Sequence, residues 1–175
     1  MRGKSMDHYI DIRLHPDPEF STPMLMSALF SKLHRGLVQL EADDIGASFP
    51  QHQTRPRSLG DVLRLFSSAG RLEELMCTNW LSGMRDHTVI SDIDVVPANT
   101  EHRVVRRVQF KTSVERLRRR HMKRHQIGEA EARERIPDSV ERKVALPFVN
   151  IRSLSTQQTF SLFIEHGPLR ATPTI

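Results

Sequence analysis

The chain is poor in the residues that provide covalent staples or a large aromatic core. Of its 175 residues one is cysteine, one tryptophan and one tyrosine, and aromatics make up 6%. The lone thiol, Cys77, excludes an internal disulfide and any cysteine-cluster metal site, which fits a reducing cytoplasm. No run of about eighteen apolar residues occurs, so no membrane span is expected. No cationic leader followed by an apolar stretch opens the sequence, so secretion is not expected. The first five residues, MRGKS, look like an alternative start and stand apart from the folded pattern. A Gly-rich phosphate loop and a GxSxG elbow are missing too. His121 and His125 stand four apart but lack the glutamate of the zincin pattern, and the other histidines are scattered. Neither a metal nor a cofactor is expected.

What the chain does have is charge, unevenly spread. It is 38% hydrophobic and 27% charged, which suits one large folded domain or two small ones, and its net charge is +5. Residues 1–102 carry 10 basic and 14 acidic side chains, whereas residues 103–143 carry 14 basic and 6 acidic. The positive charge therefore sits in about a quarter of the chain. That footprint is expected of a protein that binds a polyanion such as nucleic acid.

Periodicity gives the elements. Tyr9–His15 alternates, with Ile10, Ile12 and Leu14 on one face, and reads as a half-buried strand. After a proline-rich break, a helix is predicted over 23–41, with Met26, Phe30, Leu33, Leu37 and Leu40 on one stripe and Leu29 beside it. Ile45, Ala47 and Phe49 mark a short strand, QHQTRPRSLG a loop, and Val62–Phe66 a third strand. A second helix from Ser68 turns Leu72, Leu75, Met76 and Trp80 inward, and a weaker strand spans Thr88–Val96. The order is that of a ferredoxin-like βαββαβ domain, assigned to 6–102, with a smaller RNA-binding domain over 103–175. The fold class is α+β. In the second half, Arg107, Gln109 and Lys111 share one strand face with Val105. A basic helix runs from Ser113, a plausible N-cap, to about His125, with Glu115 in its first turn. A helical piece follows and stops before Pro137, and a hairpin closes the chain. Ile151, Ser153 and Ser155 share a face of its first strand, and Phe160, Leu162 and Ile164 a face of its second.

Several residues carry candidate chemistry, each beside a plainer role. The stretch SVERLRRRHMKRH holds six fixed cations against one acid. It is either a surface face laced by ion pairs or a grip for phosphates, whose released counterions relieve the repulsion among the cations. Arg116, Arg120, Lys123 and Arg124 share one broad face, which Arg119 widens. Arg107 and Gln109 are either an ordinary exposed strand face or a base-reading pair. His34 sits about 40° beyond Phe30 on the helical wheel, at the margin of the apolar stripe. It is a structural residue, or an imidazole able to take a proton from a ribose 2′-hydroxyl. Ser153, Ser155 and Thr156 are turn hydroxyls that satisfy backbone groups, and Phe160 is core or a platform on which a base stacks.

The motifs MDHYIDIRLHPDPEF, LFSKLHRGL, RVQFK, ERLRRRHMKRH, RIPDSV, LPFVNIRSLST and FIEHGPL occur in the order found in the CRISPR repeat-processing endoribonucleases of type I-F systems, the Cas6f/Csy type. The resemblance runs from Met6 to Leu169. It implies a ferredoxin-like domain joined to an RNA-binding domain, and metal-free cleavage of precursor crRNA at the base of each repeat hairpin. A 2′-hydroxyl attacks the adjacent phosphate, leaving a 2′,3′-cyclic phosphate and a 5′-hydroxyl. By resemblance His34 is the catalytic histidine, and Ser153, in the RSLST motif with Ser155, holds the ribose at the cut. Arg120 reads a base, while Arg116, Arg119, Lys123, Arg124 and His125 belong to the helix that holds phosphates. Arg107 and Gln109 are the base-reading pair and Phe160 stacks on the terminal base pair. The implied partners are the repeat hairpin, retained after the cut, and other subunits of a type I-F interference complex. The alternative is a non-catalytic subunit that holds the hairpin. A-form RNA has a major groove too narrow for most side chains, but a short hairpin is open at its loop end, where an arginine-rich helix can enter. Family members continue past HGPL with a Gly-rich strand bearing a tyrosine, whereas here RATPTI follows and the only tyrosine is Tyr9. That departure predicts a greater loss of rate than of hairpin affinity.

Overall fold

A computed structural model describes residues 6–109, 114–138, 145–152 and 157–172. It is an α+β protein dividing into two compact units, Met1–Val108 with Leu146–Ile175, and Gln109–Ala145. None of the described helices is long and apolar enough to cross a membrane.

The first unit starts with β1 (His8–Leu14), whose alternation buries Ile10, Ile12 and Leu14 as its period-two pattern requires. Helix α1 (Thr22–Gln39) follows, with Pro23 in its first turn, where a missing N–H leaves no helical bond unmade. It buries Leu25, Met26, Leu29, Leu33 and Gly36. The predicted stripe is thus displaced. Leu29 is its fully buried centre, and Phe30, Leu37 and Leu40 lie at its margin. The reason is that α1 packs against two sheets, touching both β1 and a strand of the second sheet, so it needs a wide apolar face. Gly36 allows a close approach to Trp80, because a Cβ there would stand 3.1 Å from Trp80 Cβ.

Next come β2 (Gly46–Ser48) and β5 (Val62–Ser67). Between them the expected loop folds into a small hairpin, β3 (Gln53–Thr54) with β4 (Arg57–Ser58). Helix α2 (Ala69–Cys77) follows Ser68 and buries Leu72 and Leu75. The single strand expected over 88–96 is two, β6 (Thr88–Ile90) and β7 (Asp94–Val95), both paired antiparallel with β1. Ser91 explains the break. Its hydroxyl accepts the Asp11 N–H at 3.0 Å, in the place where a continuing ladder would use a carbonyl. The sheet order is β2-β5-β1-β6, antiparallel throughout, with β7 also on β1.

A second sheet in the same unit joins β8 (Val105–Val108), β9 (Phe148–Arg152) and β10 (Thr159–His166) in the order β8-β10-β9. Val149, Ile151, Leu162 and Ile164 are buried and continue the core built by β1, α1 and α2. Val108 and Phe148 both stand opposite Phe163 on β10. The chain therefore leaves this unit on one flank of β10 and re-enters it on the other, two strand spacings or about 10 Å apart.

The second unit contains α3 (Val114–His125) and α4 (Glu129–Arg135), which pack together. Among its described residues, Val114 and Ala132 are the buried apolar ones.

Candidate nucleic-acid interface and catalytic histidine

In the first unit, α1 sets His34. It directly follows the buried Leu33, a rotation of about 100°, and that step carries its side chain out of the core into solvent. The imidazole is therefore accessible to a substrate proton while its helix is fixed by the core. The helix is also tied to β9, where the Asn150 N–H donates to Ser27 Oγ at 3.1 Å. β9 ends at Arg152, immediately before Ser153. Ser153 and Ser155 lie outside the described residues, as does Ser113.

Beside that strand, Phe160 stands opposite Ile151 in β9. Leu162 and Ile164 share its face and are buried, yet Phe160 is 41% exposed. The apolar row of β10 thus runs out of the core and ends in an open aromatic ring, the state a stacking platform requires. On β8, Arg106 and Arg107 differ. Arg106 Nε donates to Glu165 Oε2, its partner across the sheet. Arg107 is exposed, and none of the described carboxylates pairs with it. Of the two neighbours, the one singled out by sequence is the one with no ion pair among the described residues.

In the second unit, Gln109 is exposed at its start. α3 sorts its residues by face. Val114, Leu117, Arg118, His121 and Met122 are buried or half-buried, at spacings of three and four, while Glu115, Arg116, Arg119, Arg120, Lys123, Arg124 and His125 are exposed. Arg119 faces Glu115 at 3.7 Å, with both side chains more than three-quarters exposed. Such a pair is weak in water and yields readily to phosphate. None of the described carboxylates forms an ion pair with Arg120, Lys123 or Arg124. His121 lies with its ring 4.3 Å from that of His125, and its pKa is lowered by burial and by His125, Arg135 and Arg124. Among the described residues no group of three or more His, Cys, Asp or Glu is arranged to hold a metal.

The family model described as "CRISPR-associated protein (Cas_Csy4)" matches residues 9–175. The chain belongs to the Cas_Csy4 family. It is 54% identical over 167 residues to the CRISPR-associated endonuclease Cas6/Csy4 of Pseudomonas aeruginosa (strain UCBPP-PA14), covering 95% of this chain and 89% of that one. It is 46% identical over 168 residues to the CRISPR-associated endonuclease Cas6/Csy4 of Escherichia coli (strain UTI89 / UPEC), covering 96% and 90%.

Two features of this Cas_Csy4 chain escaped the sequence reading. Arg118 was not separated from the other cations of α3, although its position four after Val114 marks the inward stripe. Glu165 was not matched to Arg106, because a cross-strand pair depends on a register that sequence does not display.

Proposed function

We propose that the chain binds CRISPR repeat hairpins in precursor crRNA, cuts them without a metal, and keeps the product. The observation that carries this reading is the 54% identity, over nearly the whole chain, to a protein named as a CRISPR-associated endonuclease. The chain is an endonuclease of that family. Its substrate and mechanism are inferred from the chemistry of the side chains.

His34 takes the proton of the 2′-hydroxyl upstream of the cut, or stabilises charge there, and Ser153 holds that ribose. The 2′-oxygen forms a bond to phosphorus and the bond to the 5′-oxygen breaks. The products are a 2′,3′-cyclic phosphate and a 5′-hydroxyl. Arg116, Arg119, Arg120, Lys123, Arg124 and His125 line the phosphates, with Arg120 reading a base. Arg107, Gln109, Ser155 and Phe160 define the base of the stem. The cationic contacts persist after the cut, which is the reason for product retention and for service within a type I-F interference complex in the cytoplasm. The strand order β2-β5-β1-β6, with α1 and α2 packed on β1, supports a ferredoxin-like reading of residues 6–102, and the cation-rich α3 supports an RNA-binding role for 103–175.

The test is incubation of the chain with its repeat RNA in EDTA, beside a substrate with a 2′-deoxy ribose at the cut. Cleavage of the first and not the second is expected. Binding without cleavage of either would leave a hairpin-holding subunit, and dependence on added metal would overturn the mechanism.

A further inference from the structure

One of the six fixed cations of α3 turns inward. The Arg118 side chain is 14% exposed, and its Nε and Nη2 donate to the Ile136 carbonyl at 2.9 and 2.7 Å. Its Nη2 also lies 2.7 Å from Asp138 Oδ1. Ile136 caps the C-terminus of α4, where carbonyls lack helical partners. The flat guanidinium fork thus satisfies that carbonyl and meets the carboxylate at once, a geometry a lysine ammonium cannot copy.

We propose that Arg118 is a positioning residue, a clamp through Ile136 and Asp138 that fixes the rotation of α3 about its axis. That rotation decides which way Arg119, Arg120, Lys123 and Arg124 point. A slip of one residue turns the helix by about 100° and would carry the outward row toward α4. The inference rests on reading this chain as a hairpin-RNA binder.

Asp138 adds an independent reason. Its side chain is 86% exposed and stands beside a cationic helix. An acid there repels an approaching polyanion, so on charge alone its loss strengthens RNA binding. As half of a clamp, its loss weakens binding. The two roles predict opposite signs.

The experiment measures the affinity of the full chain for its repeat hairpin, made uncleavable by a 2′-deoxy ribose at the cut, at one stated salt concentration. Asp138→Asn, at an exposed position, is expected to raise Kd about two- to fivefold. An unchanged or lower Kd overturns the clamp. Arg118→Lys keeps the charge and loses the fork, and is expected to bind as poorly as Arg118→Met. Full affinity in Arg118→Lys overturns the clamp in favour of a phosphate contact. The single-turnover rate on cleavable RNA at saturating protein is expected to stay within about twofold of the parent, separating Kd from chemistry. A rate that falls as far as affinity overturns a purely positioning role. If the parent itself does not bind the hairpin, the functional reading fails and the clamp's role with it. If the parent binds and all variants match it, only the clamp fails.

Discussion

The imidazoles of His52 and His166 lie face to face, with centroids 3.5 Å apart and planes 5° from parallel. Arg103 Nη1 donates to His52 Nε2 at 3.0 Å, so that nitrogen is the acceptor. His52 Nδ1 then carries the proton and donates it to the Phe49 carbonyl at 3.1 Å. Phe49 also meets His166 edge-on. His166 Nε2 is buried and without a partner among the described residues, and burial, followed by the neighbouring His52 and Arg103, lowers its pKa to about 4.

Acid should therefore weaken the fold through this pair. An unfolded His166 takes up a proton near pH 6.5, the folded one only near 4. Between those values the unfolded chain binds more protons, so stability is complete above about pH 6.5 and declines as pH falls toward 4. Urea unfolding midpoints between pH 7.5 and 4 should trace that decline. His166→Phe, which keeps a flat ring, should flatten it, and an equal decline in the variant would remove His166 as its source.

His34→Ala should lower the single-turnover cleavage rate by about 10²–10⁴-fold, the range expected for loss of a general base. Hairpin affinity should stay within about twofold, because the side chain lies outside the core and is not one of the cations read as phosphate contacts. Rapid cleavage by the variant would exclude His34 from the chemistry.

Each outward cation that meets a phosphate should contribute to the salt dependence of binding. Lys123→Ala and Arg124→Ala should each reduce the slope of log affinity against log salt by about 0.9. Arg133→Ala, on α4 and already paired with Glu129 at 2.7 Å, should leave the slope unchanged. Titrations of labelled hairpin at four salt concentrations distinguish these cases.

Stability should follow burial along α1. Leu29→Ala, fully buried, should cost about 2–5 kcal/mol. Val38→Ala, at a position 64% exposed, should change stability by less than about 0.5 kcal/mol. Chemical denaturation of the two variants compares them directly.

The elements were legible where period and burial agree. β1 alternates over seven residues against a single core, so Ile10, Ile12 and Leu14 announced it. α1 was visible too, but its centre was misplaced, because its contact with β9 depends on a strand more than a hundred residues away. The 88–96 strand looked continuous because one hydroxyl, on Ser91, replaces a carbonyl without disturbing the apolar pattern. At the candidate site, the exposure of His34 and of the outward cations agrees with the stripe pattern of their helices, while the separate fates of Arg106 and Arg107 depended on Glu165. Arg118 shows the opposite limit. Composition counts it with its neighbours, and only the packing of α4 turns it inward.

Val108 and Phe148, level with each other on either side of Phe163, make the intervening stretch a cassette. Its two ends are pinned to one eight-residue strand, and the histidine-bearing helix belongs to the part that stays behind. Transplanting 109–145 from a relative into this frame would exchange the cation-rich helix while leaving His34, Arg107 and Phe160 in place. Divergence of repeat sequences could thus proceed by remodelling one insert at a time.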